Sequence, residues 1–300
     1  MPVYNSQDTV HFSIRSVLNQ TYDNFDFIII NDGSTDDSES VILSFKDTRI
    51  KYFKISHKGR SYASNYGISK AATEFIARID ADDLFVKEKL KSQMGFIKEH
   101  PEIDFIFSWS VFYNETDMLR FWKSPESDYD IKSKMMYLNP INHSSIIYKK
   151  DVILKLSGYN ETLDINEDYD LWIRASKEYK FYCLQEYLVY SKLKDDLFKK
   201  KFDKELVLLL TKNINNIPGL ERKERNDLLG RVEYYYGNPE EARKNLINGN
   251  ITRNFKLLLY SYIPGLVLNK LRGKRFSLFL SKDFFRKYSF RNILKQMLAE

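Results

Sequence analysis

The feature that most constrains this 300-residue chain is a recurrence. Short apolar runs return at a spacing of about 25 residues with amphipathic stretches between them, the pattern of successive βα units feeding a mostly parallel sheet. The runs are Phe25 to Ile30, Ile50 to Ile55, Phe75 to Ile79 and Phe105 to Phe112. Helical patterns fill the intervals, at Thr9 to Asn19, Asp37 to Phe45, Arg60 to Ala71 and Lys87 to Glu99, several opened by a Ser, Thr or Asp suited to an N-cap. The expected fold class is therefore α/β, Rossmann-like and doubly wound, with helices flanking the sheet. Beyond about residue 190 the strand signals fade and a helix-turn-helix pattern stands at Arg231 to Ala242. The expected division is a sheet-bearing domain over 1–194 and a helical, basic region over 195–300.

Hydrophobic residues at 43% and aromatics at 15% are enough to bury a sizeable core. The lone cysteine, Cys183, makes no internal disulfide and stands in no zinc-like spacing, which points to a reducing compartment, the cytoplasm. No stretch near the N-terminus reads as a signal peptide. The uncharged run Leu257 to Asn269 holds Pro264-Gly265 and is shorter than the roughly 20 residues a membrane-spanning helix needs. The net charge of +6 is concentrated: residues 270–300 carry nine Lys/Arg against Asp283 and Glu300. Interleaved with Phe276, Phe279, Phe284, Phe285 and Phe290, that basicity suits either peripheral contact with an anionic membrane or an ordinary solvated helix face; nucleic acid is the least favoured partner.

In doubly wound sheets ligands bind beyond the carboxyl ends of the strands, so the loops after the strands carry the chemistry. Asn31-Asp32-Gly33-Ser34-Thr35-Asp36 follows the first apolar run, with a glycine for a tight turn and an aspartate to accept from a base or ribose. Ser56-His57-Lys58-Gly59-Arg60 follows the second, and Arg60 is placed to reach a phosphate. Asp80-Ala81-Asp82-Asp83 follows the third, with three carboxylates in four residues that repel one another unless a divalent cation offsets them. The plain alternative is an acidic N-cap cluster opening a helix at Leu84-Phe85. Farther on, Asn142-His143-Ser144-Ser145 precedes a short strand, Ile146 to Tyr148, and Asn166-Glu167-Asp168-Tyr169-Asp170-Leu171-Trp172 opens a helix with carboxylates.

Four of these segments, Pro2-Val3-Tyr4-Asn5, Asn31 to Asp36, Asp80 to Asp83 and Asn166 to Trp172, resemble in order and spacing the inverting glycosyltransferase family 2 of GT-A fold, of bacterial polysaccharide type. The resemblance covers roughly residues 1 to 192. It implies nucleoside-diphosphate-sugar binding, with uridine as the expected base, by Pro2, Tyr4, Asn5, Asp32, Arg60, Asp80 and Asp82. It also implies Mn²⁺ or Mg²⁺ held by Asp82 with Asp80 or Asp83, and Asp168 as general base with Glu167 beside it. His143 and Trp172 fall on the acceptor side, where a glycan or lipid-linked acceptor would sit; from the residues alone, Trp172 and Tyr169 suit either a sugar ring or the core, and His143 suits either a ligand or a structural hydrogen bond. A lipid-linked acceptor would place the protein at the inner face of the cytoplasmic membrane.

Two departures stand out. The chain begins at Met1-Pro2-Val3-Tyr4, where relatives carry several apolar residues of a first strand, so that strand is expected to be absent or clipped. At Tyr190 to Lys194, Lys192 and Lys194 stand where many relatives have an Arg and then a His; protonated lysines neutralise phosphate but do not ligate a metal. The rival readings are a metal-dependent nucleotidyl- or phosphotransferase, for which no Walker lysine loop is present, and a catalytically degenerate sugar-binding or scaffolding relative at a membrane surface.

Overall fold

A computed structural model describes residues 1–113, 120–163, 165–192, 204–250 and 254. They form two compact units: 1–131 with 140–192, and 132–139 with 204–250 and 254. The basic stretch 270–300 and Lys194 lie outside the described residues.

The first unit opens with β1 (Pro2–Val3), α1 (Val10–Leu18), β2 (Phe27–Asp32), α2 (Ser38–Ser44), β3 (Ile50–Ile55) and α3 (Arg60–Lys70). The three strands are parallel in the order β1-β2-β3, with Pro2 opposite Ile30 and Phe27 opposite Ile50. The first strand, expected to be absent or clipped, is present as a strand of two residues. Two residues suffice to pair with β2, because the Met1 amine donates to the Ile28 carbonyl at 2.9 Å and the Ile30 amide to the Met1 carbonyl at 2.9 Å. Beside this short strand lies a cavity of about 490 Å³ lined mainly by apolar groups, among them Phe27, Ile28, Ile68, Phe75 and Met94. The apolar run of β2 extends through Asn31 and Asp32, so these two polar residues belong to the strand and are buried.

The chain continues through β4 (Phe75–Ala77), β5 (Leu84–Phe85), α4 (Lys89–Glu99), β6 (Phe105–Tyr113), β7 (Arg120–Trp122), α5 (Asp128–Met135), a 3₁₀ turn at His143–Ser145, β8 (Ile147–Lys149), α6 (Lys150–Lys155), α7 (Glu167–Ala175) and β9 (Phe181–Lys192). Its second sheet has the order β4-β8-β6-β9-β5, with β7 paired to β6. Parallel pairing continues only between β6 and β9; the other pairs run antiparallel. One consequence bears on the site. Leu84-Phe85 forms strand β5 against β9 and not a helix, so the acidic turn Asp80 to Asp83 is held at both ends by sheet.

Val3, Ile14, Ile29, Ile106, Ile147 and Val189 close one core between helices and sheets. Each such fully buried side chain contributes roughly 1.5–3 kcal/mol relative to exposure. The second unit holds α8 (Lys204–Asn215), α9 (Arg222–Tyr236) and α10 (Pro239–Asn248). The expected helix-turn-helix is the α9/α10 pair, with Asn238 capping the Glu240 amide and Gly230 lacking the Cβ that would collide with Leu246. Among the described residues no helix is long and apolar enough to cross a membrane.

Candidate functional site

The first unit gathers most of the sequence-marked polar residues onto connected loops. Tyr4 follows β1, is half exposed, and stacks on His57 with ring centroids 4.0 Å apart. Asn5 takes a left-handed backbone (φ 46°) while its side chain accepts from the Thr35 amide at 2.8 Å, which pins the loop after β1 to the loop after β2. Gly33 is required twice: its φ is +70°, and a Cβ there would stand 2.7 Å from the His57 amide nitrogen. Asp32, expected to accept from a base or ribose, instead uses both oxygens on the next loop. It takes the Lys58 amide at 2.8 Å, the Gly59 amide at 2.9 Å and the His57 ring at 2.9 Å, and it is 2% exposed. Its physical role here is to shape the 57–59 loop that presents His57 and Arg60.

The acidic turn sorts its three carboxylates by environment. Asp80 keeps partial exposure and receives the buried Arg78 at 2.8 Å, and its amide hydrogen-bonds the Ser144 hydroxyl at 2.9 Å. Burial alone raises its pKa, but Arg78 outweighs that and holds the carboxyl below the usual range. Asp82 is half-buried, and its carbonyl accepts from the Tyr113 hydroxyl at 3.2 Å. Asp83 is 5% exposed and bound to β9, taking the Ser191 hydroxyl at 2.9 Å and the Lys192 amide at 3.1 Å. Asp83, expected as a metal ligand, is held by β9 through both of its carboxylate oxygens. Burial, then repulsion from Asp80 and Asp82, pushes the Asp83 pKa well up. Mg²⁺ and its relatives take one or two carboxylates plus phosphate oxygens, so Asp82 with the remaining oxygen of Asp80 fits such an ion. No group of three or more metal-binding side chains stands together among the described residues.

The start of α7 lies within electrostatic range of this turn. Asn166 takes φ 59°, a left-handed entry that Asn tolerates, and so turns Glu167 and Asp168 into the first helical turn. Glu167 is 3% exposed and lies 3.6 Å from the Arg60 guanidinium; burial raises its pKa, and Arg60 opposes the rise. Asp168 is half-buried, with one oxygen accepting from the Tyr169 amide at 2.7 Å. His143 bonds Tyr159 at 2.8 Å, and burial, reinforced by Arg78, holds its pKa well below the usual value, so the ring is neutral. Trp172, expected along the acceptor side, is corrected to a core residue: it is fully enclosed against Phe105, His143 and Tyr148.

Sequence reasoning passed over Arg78, Tyr159 and Asn65, and assigned no role of their own to Ser144 and Ser191 within segments it had marked. Arg78 was detectable as a lone cation inside the apolar run Phe75 to Ile79; the others carry no local signal. Asn65 on α3 donates to the Tyr159 carbonyl at 2.9 Å and accepts from the Tyr159 amide at 2.8 Å. It thereby ties the helix that begins at Arg60 to the segment leading into Glu167-Asp168.

A parallel β1-β2-β3 sheet with polar loops at one rim, facing an acidic turn and an acidic helix start, defines a GT-A glycosyltransferase fold. Solved structures agree: TarS of S. aureus in complex with UDP-GlcNAc superposes with a TM-score of 0.59 at 19% identity, over 85% of this chain and 74% of that one. The mannosyltransferase PcManGT from Pyrobaculum calidifontis, with GDP-Man and Mn²⁺, does so at 0.56 and 12% identity, over 99% and 84%. Residues 1–153 match glycosyl transferase family 2, and the chain belongs to that family. An uncharacterized glycosyltransferase of Rickettsia bellii is 36% identical over 59% of this chain, which spans only 26% of that relative's length. An Escherichia coli UDP-Glc:alpha-D-GlcNAc-diphosphoundecaprenol beta-1,3-glucosyltransferase, WfaP, is 34% identical over 57% of this chain and 66% of its own.

Proposed function

We propose that this chain transfers a sugar from a UDP-sugar to a hydroxyl of a glycan or lipid-linked acceptor, with inversion and with help from a divalent cation. The observation that carries the reading lies within one unit: Asp80 is in electrostatic range of both Arg60 and Glu167, and Arg60 stands 3.6 Å from Glu167, the residue before Asp168. Asp168 takes the proton of the acceptor hydroxyl as its oxygen bonds to the anomeric carbon, and the bond from that carbon to the diphosphate breaks on the opposite side. Arg60 lies beside the departing diphosphate, and Glu167 holds Arg60 in place. A cation at Asp82 and Asp80, when bound, neutralises phosphate charge. The Tyr4 ring offers an apolar face to the base. The UDP bound to TarS and the lipid-linked acceptor named for WfaP support the donor and acceptor classes. The domain division is proposed on the same basis, with the transferase in 1–194 and the helical, basic region in 195–300 as an attachment element at the inner membrane face.

The test is calorimetric titration of UDP with and without Mn²⁺, on the wild type and on Asp82→Asn. The expected outcome is Mn²⁺-dependent binding that Asp82→Asn weakens by about 1–3 kcal/mol, the scale of one lost charge-assisted contact. Metal-independent or absent UDP binding overturns the reading.

A further inference from the structure

Arg78 directly follows β4, with its side chain 5% exposed. One nitrogen donates to Asp80 Oδ1 at 2.8 Å, and its backbone amide pairs with the Ile146 carbonyl at 3.2 Å. Its Nε and one further guanidinium nitrogen are buried without a hydrogen-bond partner. A buried cation satisfied at one nitrogen only is destabilising, and well-packed apolar replacements of buried ion pairs are often neutral or stabilising. Its surroundings are those of the site: Asp80, Tyr148 and Tyr159 are its strongest electrostatic partners, and its field reaches His143 and Glu167. The cost of burying Arg78 is thus borne where donor and acceptor halves meet.

We propose that Arg78 is a positioning residue for the donor half of the cleft: it grips one oxygen of Asp80 so that the carboxylate stays in a single orientation with its other oxygen available to the nucleotide-sugar or its cation. The Asp80 amide, bound to Ser144, fixes the backbone, and Arg78 fixes the side chain. Neither contact touches the ligand, so Arg78 acts through Asp80. This inference rests on the donor reading above and adds to it the device that holds one of its carboxylates.

The test is a double-mutant cycle of Arg78→Met and Asp80→Asn, read by UDP·Mn²⁺ calorimetry and thermal melting, with Arg78→Lys as the conservative variant. Arg78→Met is expected to melt at or above the wild-type temperature yet bind UDP·Mn²⁺ about tenfold or more weakly, Arg78→Lys to recover most of that loss, and the effect to vanish in the Asp80→Asn background. Wild-type affinity in Arg78→Met, or a loss that multiplies with Asp80→Asn, overturns the proposal while leaving the donor reading intact. A wild type that binds no UDP removes both. Should Arg78→Met fail to fold, Arg78→Lys carries the cycle alone: it must bind within about fivefold of wild type, and binding as weak as Asp80→Asn refutes the assignment.

Discussion

Asp168 and Lys89 show how environment, not residue type, assigns roles. Asp168 stands at the first turn of α7 in partial exposure, where its carboxylate is accessible. Replacing it with Asn keeps the shape and removes the base proposed above, so transfer is expected to fall by about 10²–10⁴-fold with UDP affinity unchanged, measured by donor-consumption kinetics beside calorimetry. Lys89 is fully buried at the start of α4, donating to Gln93 at 2.6 Å and lying 4.2 Å from the Phe85 ring centre. Burial lowers its pKa from 10.5 to about 7. The folded state therefore sheds this proton while the unfolded chain still holds it, and stability rises with pH across that window by up to roughly 1.4 kcal/mol per unit. Below about pH 7 both states are protonated and the penalty is constant. Urea titrations from pH 6 to 9 should show this slope in the wild type and a flatter, higher curve in Lys89→Met; parallel curves would refute it.

At the scale of elements, the site depends on stitches between segments far apart in the chain. Asn65 joins α3 to the Tyr159 backbone, Gly158 (φ +71°) leaves room for that side chain, and Arg174 of α7 donates to the Leu156 and Gly158 carbonyls. Asn65→Ala removes a donor and an acceptor opposite a buried backbone. The expected result is a stability loss of roughly 1–3 kcal/mol. Transfer should fall about tenfold to hundredfold as Glu167 and Asp168 lose their registration to Arg60. A melting shift without any kinetic change would make the contact purely structural. The strand that ties down Asp83, β9, was not singled out in sequence because Gln185-Glu186 interrupts its apolar alternation, where its register with β6 shifts. The β2 boundary moved for a related reason: Asn31 and Asp32 are polar yet complete the strand, because Asn31 pairs with Tyr52 and Asp32 with the 57–59 loop.

For the whole molecule, the charge asymmetry makes one prediction. Nine Lys/Arg against two acidic residues in 270–300 favour an anionic surface. The full chain should float with anionic vesicles at low salt and a chain ending at residue 269 should not; equal flotation would remove the tail from the account. The sequence by itself determined the βα rhythm of the first half, the family, and which loops carry polar residues, because periodicity and motif spacing are local properties written along the chain. Only the tertiary structure decided which carboxylate does what. Asp83 and Asp32 gained partners from β9 and the 57–59 loop, Trp172 became core because Phe105, His143 and Tyr148 enclose it, and Asp80 gained the buried Arg78 as its partner. Each of those outcomes depends on burial and on partners from other strands and loops, which no local pattern in the chain encodes.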